Sequence, residues 1–152
     1  MKKYFGLFVG VFCAAMLLFG SCGGPKEVIE TSEEEKLAFQ QTEGDTVEIS
    51  SDETEYEIII IEPGFNFWLQ SIARPEGYYS QSFMEIRNQF YVANWNQRVI
   101  QPLRFDPNLY LMQIDYDPAI DYGYEVNYKL YNYFIYFQRK YGQRLGPFVP
   151  RI

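Results

Sequence analysis

Residues 122–141 carry apolar side chains at helical spacing: Val126, Leu130, Tyr133, Phe134, Phe137 and Tyr141 fall on one stripe. Glu125, Lys129, Asn132, Tyr136 and Lys140 fall on another, which reads as the wet face. Glu125 and Lys129 have the favourable i,i+4 order, Asp121 is placed to cap the start, and Gly142 follows as a stop. A helix owes most of its stability to covering its apolar face, so the rest of the chain has to build a core around this stripe.

Material for that core is plentiful. Residues 56–152 hold thirteen Tyr, eight Phe and two Trp, enough for one small core and not for two domains. Ile58-Ile59-Ile60-Ile61 is a β-branched run that reads as a strand over residues 56–61, ended by Glu62-Pro63-Gly64. A short helix is expected over 65–73, with Phe65, Trp68, Leu69 and Ile72 on one face. Ser80 is a plausible cap for a helix reaching about Ile100. Its apolar stripe rotates from Phe83, Ile86 and Phe90 to Val92, Trp95 and Val99, which predicts a bend or break near Ala93. Residues 109–116 are the expected partner for the first strand, because a lone strand leaves its backbone groups unpaired.

The N-terminal third is different. Lys2 and Lys3 precede an apolar run from Tyr4 to Phe19, too short and wrongly flanked for a confident spanning helix. Leu18, Gly20, Ser21 and Cys22 resemble the cleavage box of a bacterial lipoprotein signal, with Phe19 where Leu is usual. That resemblance implies acylation of Cys22 at a new N-terminus. Gly23 in place of Asp is similar to outer-membrane lipoproteins, and the Gly23-Gly24-Pro25-Lys26 spacer leans toward the periplasmic face over the cell surface. The other cysteine, Cys13, lies inside the signal, so no disulfide framework is available to the mature chain. Residues 22–57 then carry a net charge of −10, whereas residues 58–152 carry +1. Acids interleaved with Ser, Thr and Gln and few apolar residues read as a disordered tether, with at most a transient turn at Leu37 and Phe39. Asp45-Thr46-Val47 matches a short O-glycosylation acceptor motif, a weak signal at three residues.

Chemistry is bounded mainly by what is missing. The chain has no histidine, which excludes Ser-His-Asp and Cys-His catalysis and His-ligated zinc. Glycine-rich phosphate loops are absent. Asp115, Asp117 and Asp121 fail as a calcium loop, with Ile120 where Gly is needed and Val126 where the bidentate Glu belongs. No metal and no cofactor is therefore expected. A carboxylate pair for glycan hydrolysis would have to come from Glu62, Glu85, Asp115 or Glu125. For binding, Tyr78, Tyr79, Trp95, Arg98, Tyr122 and Tyr124 are the candidates: rings to stack on a ligand, with Arg98 beside Asn94, Asn96 and Gln97 for polar contacts. Rings in a domain this small more often fill and rim the core. The near-neutral folded part argues against nucleic-acid binding.

Four stretches carry a further resemblance: 78–82 (Tyr-Tyr-Ser-Gln-Ser), 95–99 (Trp-Asn-Gln-Arg-Val), 113–116 (Gln-Ile-Asp-Tyr) and 121–128 (Asp-Tyr-Gly-Tyr-Glu-Val-Asn-Tyr). Over residues 56–145 the chain resembles a family of small Bacteroidota-type envelope proteins known as a domain of unknown function. The resemblance implies an address and no activity. The expectation is thus a signal peptide over 1–21, a disordered acidic tether over 22–55, and a small single α+β domain over 56–152, helix-dominated with at least two strands. Its expected role is that of a lipid-anchored cell-envelope module, held to the membrane by its N-terminal lipid. It would bind a protein or glycan partner or serve assembly without catalysis. The alternative is a small carboxylate-dependent hydrolase acting on glycan.

Overall fold

The computed structural model describes residues 29–41, 46–51 and 56–152, the strands within it through their backbone alone. Among the described residues four helices form the architecture: α1 (Glu33–Phe39), α2 (Phe65–Ser71), α3 (Gln81–Val99) and α4 (Gly123–Lys140). An antiparallel backbone hairpin, β1 (Thr46–Ser51) with β2 (Tyr56–Ile61), pairs Thr46 with Ile61 and Ser51 with Tyr56. Signal, lipid-site and glycosylation readings at residues 1–28 and 45 lie outside the described residues, and nothing is described of the Thr46 side chain.

The α+β expectation is overturned. The core is built of helices, and no strand occurs among the residues whose burial is described. Residues 109–116, expected to be a strand, have no regular structure. The reason lies in where their backbone groups go. The Trp95 indole N–H donates to the Met112 carbonyl at 2.8 Å, and Asn96 clasps Ile114, donating to its carbonyl and accepting from its N–H at 2.8 Å each. Side chains of α3 do what a neighbouring strand would have done.

The central element is α4, and it is buried nearly all round. From Val126 to Arg139 every residue but Lys129 is buried. The expected wet stripe is wrong at Asn132 and Tyr136, whose side chains are inside. Tyr136 is accommodated because its hydroxyl donates to the Pro63 carbonyl at 2.6 Å, while its ring meets Phe39, Phe65 and Trp68. Buried amides bond back one turn: Asn132 to the Tyr128 carbonyl and Gln138 to the Phe134 carbonyl.

α3 packs along α4 as one unbroken helix, capped by the Ser80 hydroxyl accepting from the Phe83 N–H. The expected break near Ala93 is absent. The buried stripe is Met84, Asn88, Tyr91, Val92 and Trp95, which a straight helix can present to one side. The misreading came from Asn88, a polar residue at the centre of the buried face. Its amide donates to both the backbone carbonyl and the side-chain oxygen of Asn127 on α4, at 3.1 Å each. Ile86 and Phe90, expected inside, are about half exposed.

The tether expectation also fails over the part that is described. Ser32 and Glu35 close a reciprocal capping box at the start of α1, and Glu33, Glu34 and Glu35 sit where the helix dipole favours acids. Glu35 and Ala38 are fully buried. Glu35 receives the Arg139 guanidinium through two hydrogen bonds of 2.5 Å and the Trp68 indole N–H at 3.3 Å. Arg139 also donates to the carbonyls of Glu30 and Pro150, at 2.8 Å each. Gly64 begins α2 at φ 84° with the Ala38 carbonyl so close that no side chain would fit. α1 is thus a seated part of the domain, and composition missed it because its only fully buried residues are an acid and an alanine, with Phe39 packed at the edge.

Candidate functional site

An open cavity of about 330 Å³ lies between α3 and the connection that precedes α4, lined by Gln81, Glu85, Gln89, Tyr116, Pro118–Ile120 and Asp121. Gln81, Glu85 and Gln89 follow one another at i, i+4 and i+8, one face of α3. The Gln81 side-chain amide donates to Glu85 and to Asp121, 2.8 Å each, so a neutral group bridges two acids. Asp121 also accepts from the Gly123 N–H at 3.0 Å, a local turn contact just ahead of α4; the N-cap position itself is Tyr122, and no side chain caps the helix, so the expected cap at Asp121 is not formed.

Tyr116 forms the inner wall. Its hydroxyl donates to the Asn127 side chain at 2.8 Å, joining the cavity to the buried Asn88–Asn127 contact. Burial, with Glu85 and Tyr122 close by, pushes the Tyr116 phenol well above its ordinary value, so it stays protonated as a donor. Tyr122 supports this wall from behind: its ring stacks on Tyr116 at 5.0 Å and its hydroxyl accepts from the Asp117 N–H.

The six expected binding residues fall in three places. Tyr78, Tyr79 and Tyr124 meet at the 74–80 turn. The Tyr124 hydroxyl accepts from the Gly77 N–H at 2.6 Å and donates to the Tyr79 carbonyl at 3.3 Å. Tyr79 stacks flat on Phe83, and Tyr78 is exposed beneath the Arg74 guanidinium. Trp95 and Arg98 belong to the far half of α3. Trp95 is core, in contact with Tyr110, Phe134 and Phe137. Arg98 ties Tyr110, Gln143 and the Arg144 carbonyl together. Tyr122 stands behind the Tyr116 wall, and none of the six lines the cavity.

The four carboxylates considered for hydrolysis are not brought together. Glu62 pairs with Lys140 at 2.6 Å and accepts from the Tyr141 hydroxyl at 2.8 Å. Glu125 pairs with Lys129 on the surface, and Asp115 is exposed. Glu85 finds its acidic neighbour in Asp121 instead. Gln81, Gln89, Tyr116 and Asp121 were missed as site residues. The i, i+4, i+8 spacing of Gln81, Glu85 and Gln89 was the signal that pointed to a shared polar face.

Residues 11–149 match the model of a family of unknown function, DUF6146. The chain belongs to that family. The match spans the acidic segment as well as the helical domain, further than the 56–145 read from the sequence motifs. Neither a curated protein nor a solved structure matches the chain. Among the described residues, no helix is long and apolar enough to cross a membrane, and no three acidic side chains gather where a metal ion would sit.

Proposed function

We propose that this member of the family is a lipid-anchored cell-envelope protein of Bacteroidota type. Cys22 is its acylation site, and it faces the periplasm from the outer membrane. Within that setting it is a non-catalytic binding module, and the cavity beside α3 takes a polar, glycan-like ligand. The observation that carries the binding reading is the state of the cavity's carboxylates. Both are engaged by the Gln81 amide, and Asp121 also accepts from the Gly123 N–H. Acids held this way accept hydrogen bonds from ligand hydroxyls, Gln89 adds an amide, and the Tyr116 ring adds an apolar wall.

Two experiments test the two halves. Metabolic labelling with a fatty-acid analogue should mark the parent chain and not Cys22→Ala, which should leave the membrane or remain an uncut precursor. Equal labelling of both would remove the anchor. For the cavity, amide NMR shifts during titration with envelope oligosaccharides should cluster at Gln81, Glu85, Gln89 and Tyr116. Gln89→Ala should weaken binding about tenfold, the loss expected for one buried hydrogen bond of about 1.4 kcal/mol, with little change in melting temperature. Shifts spread elsewhere, or none, would contradict the assignment.

The hydrolase reading rests on one observation. Glu85 and Asp121 each lie one hydrogen bond from the same nitrogen, so their oxygens are within about 6 Å, near the spacing of a retaining pair. Shortened oligosaccharides in the same titration, abolished by Glu85→Gln, would favour it over binding.

A further inference from the structure

The connection between α3 and α4 exposes apolar side chains on a firmly held backbone. Ile100, Leu103, Leu111 and Met112 are 66, 104, 74 and 73 % exposed. Held apolar side chains at a surface mark a contact site more than loose ones do, because the ordering entropy is already spent in folding. Here the holding is explicit. Trp95 and Asn96 fix the carbonyls of Met112 and Ile114, Arg98 holds the Tyr110 hydroxyl, and Asp106 organises the turn, its backbone carbonyl accepting from Leu109 and Tyr110 and its carboxylate from Asn108. Two exposed cations flank these apolar tips. Arg104 is exposed over the Phe105 ring, and Arg144 is exposed where its carbonyl meets Arg98. The connection also carries exposed acids, Asp106 in the turn and Asp115 and Asp117 beyond Met112.

We infer that this connection is a membrane-seating surface and that its occupant is the lipid bilayer. Aliphatic tips enter the headgroup boundary while Arg104 and Arg144 meet lipid phosphates. The second argument is chain length, and it rests on the anchored reading of Cys22. α1 belongs to the domain and Glu30 is fixed by Arg139, so seven residues, 23–29, separate the lipid site from the fold. Fully extended, they reach about 23–25 Å. A domain of about 100 residues has a radius of gyration of about 13 Å, which for a sphere is a diameter of about 34 Å, so the reach is shorter than one domain diameter. The linker lets this face meet the bilayer and does not let the domain leave it. At that effective concentration a contact too weak to bind by itself is kept. The acidic outer face of α1, with Glu33 and Glu34 exposed, is the opposite in character and stays off an anionic surface.

The test uses the acylated full chain in vesicles of phosphatidylethanolamine with one-fifth phosphatidylglycerol. An environment-sensitive thiol dye is placed at Leu103→Cys, Met112→Cys and, as control, Glu34→Cys. The expected result is a blue-shifted emission at the first two positions, quenched by doxyl-labelled lipid, and solvent-like emission at the third. Solvent-like emission at all three would overturn the proposal. The parent chain reports on the anchor separately: acylated Cys22 takes no dye, so labelling of the parent would mean that the anchored reading has failed. In that event co-flotation of the unmodified chain with the same vesicles decides the surface. A loss of at least tenfold in Leu103→Ser/Met112→Ser, at unchanged melting temperature, supports it. Flotation that is absent, or equal in the two proteins, overturns it.

Discussion

Glu35→Ala should destabilise the domain by about 3–5 kcal/mol, the loss expected when one partner of a buried ion pair is removed. The carboxylate is fully buried and holds Arg139 through both of its oxygens. Without it, Arg139 either stays buried without its counter-charge or admits water by releasing α1. The Trp68 indole N–H and the cap at Ser32 lose their partner in the same step. Urea unfolding at neutral pH measures the loss, and a change below about 1 kcal/mol would place the pair with surface ion pairs. The same group sets a pH dependence. Burial pushes the Glu35 carboxyl up, but hydrogen bonds from Arg139 and the Ser32 N–H, the Arg139 charge and the Trp68 indole outweigh it, so the carboxyl lies below its ordinary value of 4.5. A lowered folded value means that the stabilisation is complete above about 4.5 and is lost as pH falls through the folded value. The parent should therefore lose more stability between pH 6 and pH 3 than Glu35→Ala does.

Tyr136→Ala should cost as much as Phe134→Ala, about 3–5 kcal/mol each. Both side chains are completely buried. Tyr136 joins Phe39 of α1, Phe65 and Trp68 of α2, and the Pro63 carbonyl, so its removal opens the place where three segments meet α4. Tyr136→Phe should keep the ring packing and lose about 1–2 kcal/mol for the unpaired carbonyl. Thermal melts of the three variants check the ordering. A harmless Tyr136→Ala beside a damaging Phe134→Ala would return that helix face to solvent.

The helices were legible where apolar spacing was clean, as at Phe65 and Trp68 in α2 and at Val126, Leu130, Phe134 and Phe137 in α4. Polar residues inside were not. Asn88, Asn132, Gln138 and Arg139 are buried because each finds a hydrogen-bond partner: Asn132 and Gln138 a carbonyl one turn back, Asn88 and Arg139 a side chain distant in sequence, and neither kind leaves an apolar period. The same blindness hid α1. Glu35 is one acid among many until Arg139, 104 residues away, gives it a reason to be inside. Residues 109–116 have a strand's composition, yet α3 side chains take their backbone groups, and composition does not record that competition. At the cavity, Asp121 was read as a cap and Glu85 as a lone acid. Only the fold of the connection brings them to a common amide.

The acidic segment enters the fold through α1. Amide hydrogen exchange of the full chain at Lys36, Gln40 and Gln41, whose N–H groups bond to the carbonyls of Ser32, Leu37 and Ala38, tests it most directly. If α1 is seated by Glu35 and Arg139, these amides are protected in the parent, and protection collapses in Glu35→Ala while the α4 amides keep theirs for as long as the domain stays folded. Exchange at unstructured rates in the parent, with α4 protected, would show that the domain folds without α1 and would contradict the account.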